Sequence, residues 1–330
     1  MSSITVFNDL PDLVLLELFS YLSSTDILWG WAFLNNLLTS LITELGFFCH
    51  VNLSSAHRHQ FDTILRRIPL NKIESLIIDI DASPLQLSRW PHLPRLITLK
   101  LKGTGRSLDF EYPMYKFSTL VTDVLLRQLP VLRLLDLGTN ALVYSLRNWH
   151  VTSVSISLTY LRISLDSLND VLRILSTRSL SDTLEQLHLS VEAQASYPSL
   201  DSLTPLCMMH LHTFTFATPL CSHYHNEKWS FVEEITSSTI MPVLRRINLA
   251  MILSIDHLIH LNQMSLFVDD RHVDVHFAFS VNDRAKHAQL SEYIPHDARF
   301  HKRQVVGVTF INNVQFENLE IVPIDLAYVS

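Results

Sequence analysis

The chain has 330 residues, 48% of them hydrophobic, and a formal net charge of −7. That much apolar material marks a core-rich folded chain, long enough for one large domain or two ordinary ones, and excludes a disordered one. The acidic balance gives no general reason to expect nucleic-acid binding, and six glycines leave little material for phosphate-cradling loops.

The N-terminus has no basic region followed by an apolar core, which argues against a secretory signal. The most apolar stretch, Ile27 to Phe48, is interrupted by Asn35, Asn36, Thr39, Ser40, Thr43 and Glu44, so it does not read as a membrane span. Three cysteines, Cys49, Cys207 and Cys221, make no disulfide framework and suit a reducing compartment. The expectation is a soluble intracellular protein, cytoplasmic or nuclear.

In chain order, Asp9-Leu10-Pro11 opens a helix whose apolar positions Leu15, Leu18, Phe19 and Leu22 recur at helical spacing. Ser23 followed by Asp26 reads as a capping box for a second helix through Ile27, Leu28, Trp31 and Leu34. Asn35-Asn36 punctuates again, and a third helix runs through Leu37, Leu41 and Leu45. Three short helices are too few to bury their own apolar faces securely, so the unit must lean on something else. One possibility is a plain helical cap on the domain that follows.

Leu10-Pro11, Leu15, Leu16-Glu17, Phe19, Tyr21-Leu22 and Asp26-Ile27-Leu28 resemble the F-box motif in order and spacing, over about 40 residues. The third segment departs from that family, reading Gly30-Trp31-Ala32-Phe33-Leu34-Asn35 where a Cys- or Arg-containing segment and a tryptophan are common. The resemblance implies that residues 1–48 dock a Skp-type adaptor and, through it, a cullin. The adaptor-facing positions it implies are Leu10, Pro11, Leu15, Leu18, Phe19, Leu22, Ile27 and Leu28.

Residues 49–70 read as a linker with a capping helix stopped by Pro69. From residue 71 a six-residue unit, apolar-x-x-apolar-x-apolar, recurs as IESLII, LITLKL, LRLLDL, LTYLRI, LEQLHL, LHTFTF, LRRINL and, more weakly, LNQMSL. These units begin at Ile73, Leu96, Leu132, Leu158, Leu184, Leu211, Leu244 and Leu261, so the offsets are 23, 36, 26, 26, 27, 33 and 17 residues. The unit resembles the leucine-rich repeat, most fully at Leu132 to Asn140.

The fold class expected is therefore α/β: a three-helix F-box, then an irregular leucine-rich-repeat solenoid over 71–268 with parallel strands inside and helices outside. Leu168 to Leu175 reads as one such helix. A strand-rich C-terminal cap follows over 269–330, containing Val273 to Phe279, Val305 to Phe310 and Leu319 to Pro323. The competing fold is an ordinary doubly wound α/β sheet.

No catalytic constellation is legible: there is no nucleophile elbow, no HExxH, and Gly103-Thr104-Gly105 is a lone GxG. Cys207, His210, His212, Cys221, His223 and His225 are a conceivable zinc set. Their spacing fits no common structural zinc pattern, so they read as scattered residues, and no metal or cofactor is expected.

Binding is better supported. In the repeat register the residues alternating with the apolar ones face the inner side of the sheet. They are Ile77 and Asp79, Lys100 and Lys102, Leu134 and Asp136, Tyr160 and Arg162, Gln186 and His188, Thr213 and Thr215, and Arg246 and Asn248. Lys100, Tyr160, Arg162, His188 and Arg246 are the candidates for holding a target protein. The resemblance implies a non-catalytic substrate receptor of a Skp–cullin–F-box ubiquitin ligase with no membrane or nucleic-acid partner. The alternative is a repeat scaffold whose N-terminal helices only cap it.

Overall fold

The computed structural model describes residues 10–79, 93–102, 131–138, 143–144, 146, 157–191, 204–218, 225–253, 266, 270–282, 300–305 and 308–313. Asn140, Gly103 to Gly105, Cys221, His223, the aromatic insertion at 104–119 and the expected strand at 319–323 lie outside these residues. The first helix, α1 (Asp12–Ser20), starts directly after Pro11, whose carbonyl accepts from the Val14 and Leu15 amides. A ring without an N–H is well placed there, where no intrahelical partner would exist.

Ser23 caps α2 (Ser24–Asp26). Its Oγ accepts from the Asp26 amide at 3.1 Å and donates to the Asp26 carboxylate at 2.7 Å. The helix then widens into a π-turn over Ile27–Trp31 and ends there, short of the Leu34 expected from the periodicity. Phe33 explains the stop: its φ of +88° lies in the left-handed region, which a bulky side chain enters only at a cost. Asn35 caps α3 (Asn36–Glu44), accepting from the Leu38 amide at 2.8 Å.

Nine strands then form one all-parallel ladder in strict sequence order. They are β1 (His50–Leu53), β2 (Ser75–Asp79), β3 (Thr98–Lys102), β4 (Leu134–Asp136), β6 (Tyr160–Leu165), β7 (Gln186–Val191), β8 (Thr213–Ala217), β9 (Arg246–Leu253) and β10 (Asp274–Asn282). The short β5 (Val143–Tyr144) shares the slot of β4, pairing with the later half of β6. Gly138, at φ +73°, makes the turn after β4 and donates its amide to the Asp136 carboxylate at 3.0 Å.

The register carries the repeat unit faithfully. Val51, Leu76, Leu99, Leu135, Leu161, Leu187, Phe214, Ile247 and Val275 stand in one row across the sheet. A doubly wound sheet would reverse its strand order at a switch point; this one never does. Parallel crossovers of constant hand put their helices on a single face, and none of the described helices lies on the other, giving a solenoid-like α/β architecture.

On the covered face lie α4 (Arg58–Arg67), α5 (Leu168–Leu175), α6 (Arg178–Ser181) and α7 (His225–Ile235). Helix α4 ends just before Pro69, as its sequence requires. Helix α5 buries Leu168, Val171, Leu172, Ile174 and Leu175. Its Asp170, only 2% exposed, accepts from the Leu146 amide at 3.0 Å and from the Ser167 hydroxyl at 3.0 Å. Burial pushes that carboxyl above the usual range against these two bonds and Arg173.

The parallel ladder is longer at both ends than the span 71–268. Its first strand falls in residues 49–70; Val51 and Leu53 there, with Phe48 just before, repeat the apolar unit and are buried. At the other end, only Leu266 of LNQMSL is among the described residues. The partner of β9 is β10, pairing from Arg246 with Asp274 to Leu253 with Val281. The alternating segment from Val273 to Phe279 thus continues the ladder rather than capping it. The sheet ends in an antiparallel pair, β12 (Val308–Asn313) beside β10 and β11 (Phe300–Val305) beyond it. Such a hairpin interrupts the repeat where a bare parallel edge would otherwise be left.

One hydrophobic core runs from Leu15 and Phe19 in α1 through the repeat leucines to Phe277 and Phe279 in β10. The helical unit therefore packs on the solenoid. Thr25, itself buried, donates to the Asn52 carbonyl of β1 at 3.3 Å and accepts from the Ser55 hydroxyl at 3.1 Å.

Candidate functional site

The face of the sheet away from the described helices carries the candidate residues in two rows. Leu134, Tyr160, Gln186, Thr213, Arg246 and Asp274 form one. Ile77, Lys100, Asp136, Arg162, His188, Thr215, Asn248 and His276 form the other. Neighbours in a row sit on adjacent strands, roughly 4.8 Å apart, close enough for side chains to bond in series.

They do so. At one end Arg162 lies 3.9 Å from the Asp136 carboxylate and donates to the Tyr160 hydroxyl. The Tyr160 ring packs against His188 with centroids 5.0 Å apart. Burial, and secondarily the Asp136 charge, raises the Tyr160 phenol.

At the other end the donor directions can be worked out bond by bond. The Asp274 carboxylate only accepts, so His276 donates to it from Nε2 at 2.7 Å. Arg246 only donates, so its Nη2 gives to His276 Nδ1 and its Nε to Asn248 Oδ1, both at 3.4 Å. That orients the Asn248 amide, whose Nδ2 donates to Thr215 Oγ1 at 2.8 Å. Thr215 Oγ1 also lies 2.8 Å from His188 Nδ1, and its own hydrogen, not used in the Asn248 bond, can be given to that nitrogen.

With Nδ1 accepting in this way, the His188 hydrogen sits on Nε2. Burial, reinforced by the Arg162 guanidinium, pushes its pKa down to about 4, so the ring is neutral near pH 7. Asn248 and His276 are each 2% exposed, whereas Tyr160, Arg162, His188 and Arg246 are half-buried and reach the surface. Lys100 is likewise half-buried, two strand positions from Arg162.

All five target-binding candidates thus fall on one face; His188 and Arg246 belong to one hydrogen-bonded network, and Tyr160 with Arg162 adjoins it through the Tyr160–His188 ring contact. Asp274 and His276 complete that network and escape the sequence reading. Their signal is present in Asp274-Val275-His276-Phe277, which alternates polar and core residues in the repeat register.

The N-terminal unit holds the second candidate surface. Of the eight positions implied by resemblance, Leu15, Phe19, Ile27 and Leu28 are buried in the unit's own core. Leu10, Leu18 and Leu22 are partly buried against it, and Pro11 is exposed. A different apolar set faces outward. Among the described residues twelve large hydrophobic side chains are exposed, and eight of them are Leu13, Val14, Tyr21, Trp29, Phe33, Leu34, Leu37 and Leu45.

Helix geometry separates the two sets. At 100° per residue Leu15, Phe19 and Leu22 point to one side of α1, while Leu13, Val14 and Tyr21 point to the other. Leu13 is 77% and Tyr21 81% exposed.

Among the described residues no three His, Cys, Asp or Glu side chains come together as a metal ion would need. Cys207 is exposed beside Met209, and His212 lies against Thr213 and Glu185. No described helix is long and apolar enough to cross a membrane. A scan against protein-family models and searches of curated proteins and solved structures each found no significant match.

Proposed function

We propose that this chain is the substrate-recognition subunit of a Skp–cullin–F-box ubiquitin ligase, with a leucine-rich-repeat solenoid as its target-binding domain. The observation that carries the reading is the concentration of exposed apolar side chains in residues 13–45. An F-box-like sequence displays there the kind of patch that a soluble chain normally buries against a partner. Phe33 adds to it: a strained backbone holds an aromatic ring at the surface of that unit. The adaptor-facing set is accordingly Leu10, Pro11, Leu13, Val14, Tyr21 and Leu34, while Leu15, Phe19, Ile27 and Leu28 shape the unit from inside. The six-residue unit, complete at eight of the nine parallel strands and in constant register, supports the repeat assignment. A receptor of this kind supplies proximity, not bond chemistry, making transfer to a held lysine effectively intramolecular.

The scaffold reading has one observation in its favour, the core that runs unbroken from α1 into the sheet. Capping and docking use opposite faces of α1, so the test must leave the inner face intact. Leu13→Asp with Leu34→Asp changes exposed positions only. The variant is expected to keep its circular dichroism spectrum and lose capture of a purified Skp-type adaptor. Leu10→Ala with Pro11→Ala should weaken capture in the same direction. Undiminished capture by the aspartate variant, or no capture by the parent chain, rejects the ligase reading in favour of the scaffold.

A further inference from the structure

The bond directions on the open sheet face leave an asymmetry. Thr215, Asn248 and His276 are engaged within the network, by His188, Arg246 and Asp274 as well as by the Asn248–Thr215 bond. His188 Nε2–H, Arg246 Nη1 and the Lys100 ammonium have no protein partner among the described residues. Among the described residues no carboxylate lies within 4 Å of Lys100 or Arg246, although Asp136 and Asp274 are their respective neighbours across the sheet. Arg162 is engaged with Tyr160 and Asp136 but adds its charge to the same strip. What remains to be satisfied along this strip is donors, three of them cationic groups or beside one, on a chain whose overall charge is −7.

The strip also has a length. From Lys100 on β3 to Arg246 on β9 the sheet advances by five strand spacings, about 24 Å. An extended segment covers that distance in roughly seven or eight residues, and its alternate side chains fall on one side about 6.8 Å apart. Carboxylates at that repeat come within reach of Lys100, Arg162, His188 and Arg246 in turn.

We infer that the open face binds an extended acidic segment of the target protein, laid across strands β3 to β9, with its Asp or Glu carboxylates accepting from Lys100, His188 and Arg246. This rests on the reading of the sheet face as the target-binding surface and names the chemistry that surface selects. A neutral His188 suits the role, because it donates through Nε2 without requiring a proton from solvent.

The test uses the full chain and a fluorescein-labelled octapeptide alternating Glu and Ser, with binding followed by anisotropy at low and at physiological salt. Saturable binding is expected, weakening as salt rises. The same peptide with Gln for Glu should bind at least tenfold more weakly. Arg246→Gln is expected to lose at least tenfold. Because Arg246 also orients Asn248 and His276, Lys100→Gln provides a second variant outside the bonded network, with a severalfold loss expected. Equal affinity for the Glu and Gln peptides, no binding of the Glu peptide, or full affinity in Lys100→Gln overturns the inference. So does binding of a phosphoserine version when the Glu version does not bind. Adaptor capture in the same preparation reads the ligase proposal separately, so failure of one is distinguishable from failure of the other.

Discussion

Protonating His188 would put a second positive charge beside Arg162 in a half-buried setting, and the fold should therefore resist it. The folded pKa of about 4 compares with about 6.5 for an unfolded histidine. A base whose pKa is depressed by folding contributes stability above its unfolded pKa and loses it as pH falls towards its folded one. Between pH 7.5 and pH 5.0 the unfolded chain takes up this proton almost completely while the folded chain takes up little. Linkage then makes His188 alone worth about 2 kcal/mol of stability lost over that interval. The charged groups acting on the ring are Arg162 and Arg246, which lower its pKa, and Asp136, which raises it.

His188→Asn retains an acceptor where Nδ1 receives the Thr215 hydroxyl and removes the titration. Urea unfolding of both proteins at pH 7.5 and 5.0 checks the claim. Other histidines and carboxylates contribute equally to both, so the comparison is between the two pH differences. The variant should lose about 2 kcal/mol less than the parent. Equal losses would mean that His188 titrates alike in both states, and the tautomer argument for the sheet face would fall with it.

Asp170 is predicted to behave in the opposite sense. Its folded pKa is raised, so its contribution is present at low pH and lost as pH rises through that value. Asp170→Asn keeps an acceptor for the buried Leu146 amide and should cost less than about 1 kcal/mol at pH 7. Asp170→Ala leaves that amide unpaired and should cost about 3 kcal/mol. Equal costs in urea titrations would show that the bond to Leu146 is unimportant. Arg271 donates to the Thr236 carbonyl just past α7 and to the Met241 carbonyl before β9, holding the approach to β10 against both. Arg271→Ala should lower thermal stability by about 3 kcal/mol, and hydrogen exchange should rise first in β10.

The solenoid-like sheet was legible because its signal is local: six residues state which side chains enter the core, and repetition sets the period. The ends were harder for physical reasons. Around β1 the unit survives as Phe48, Val51 and Leu53, but it spans a four-residue strand placed directly after a helix. Before β10 the first apolar slot holds His272, whose φ of +52° suits a turn rather than a core position. The unit at Leu261 fits the formula but begins only eight residues after β9 ends at Leu253, where a parallel crossover needs a dozen or more. The candidate face was readable residue by residue, but its network was not. Asp136, Arg162, His188, Thr215 and Asn248 are separated by 26, 26, 27 and 33 residues, and only the register makes them neighbours.

In the N-terminal unit the positions that the motif points to and the apolar positions most exposed to solvent are largely different residues. Leucine and phenylalanine at helical spacing are what a core requires, and in α1 they supply it through Leu15 and Phe19. A helix that served only as a cap would turn a polar face outward. Here the outward face carries Leu13, Val14 and Tyr21 alongside Glu17 and Ser20, so α1 is apolar on both sides. Fully burying a side chain of this size is worth roughly 2 kcal/mol, and leaving several in water forgoes that gain and invites aggregation. A chain with 17% charged residues could spare a few for this face. That it places apolar ones there is the reason to read residues 13–45 as a surface waiting for another protein, and the solenoid behind it as the arm that surface carries.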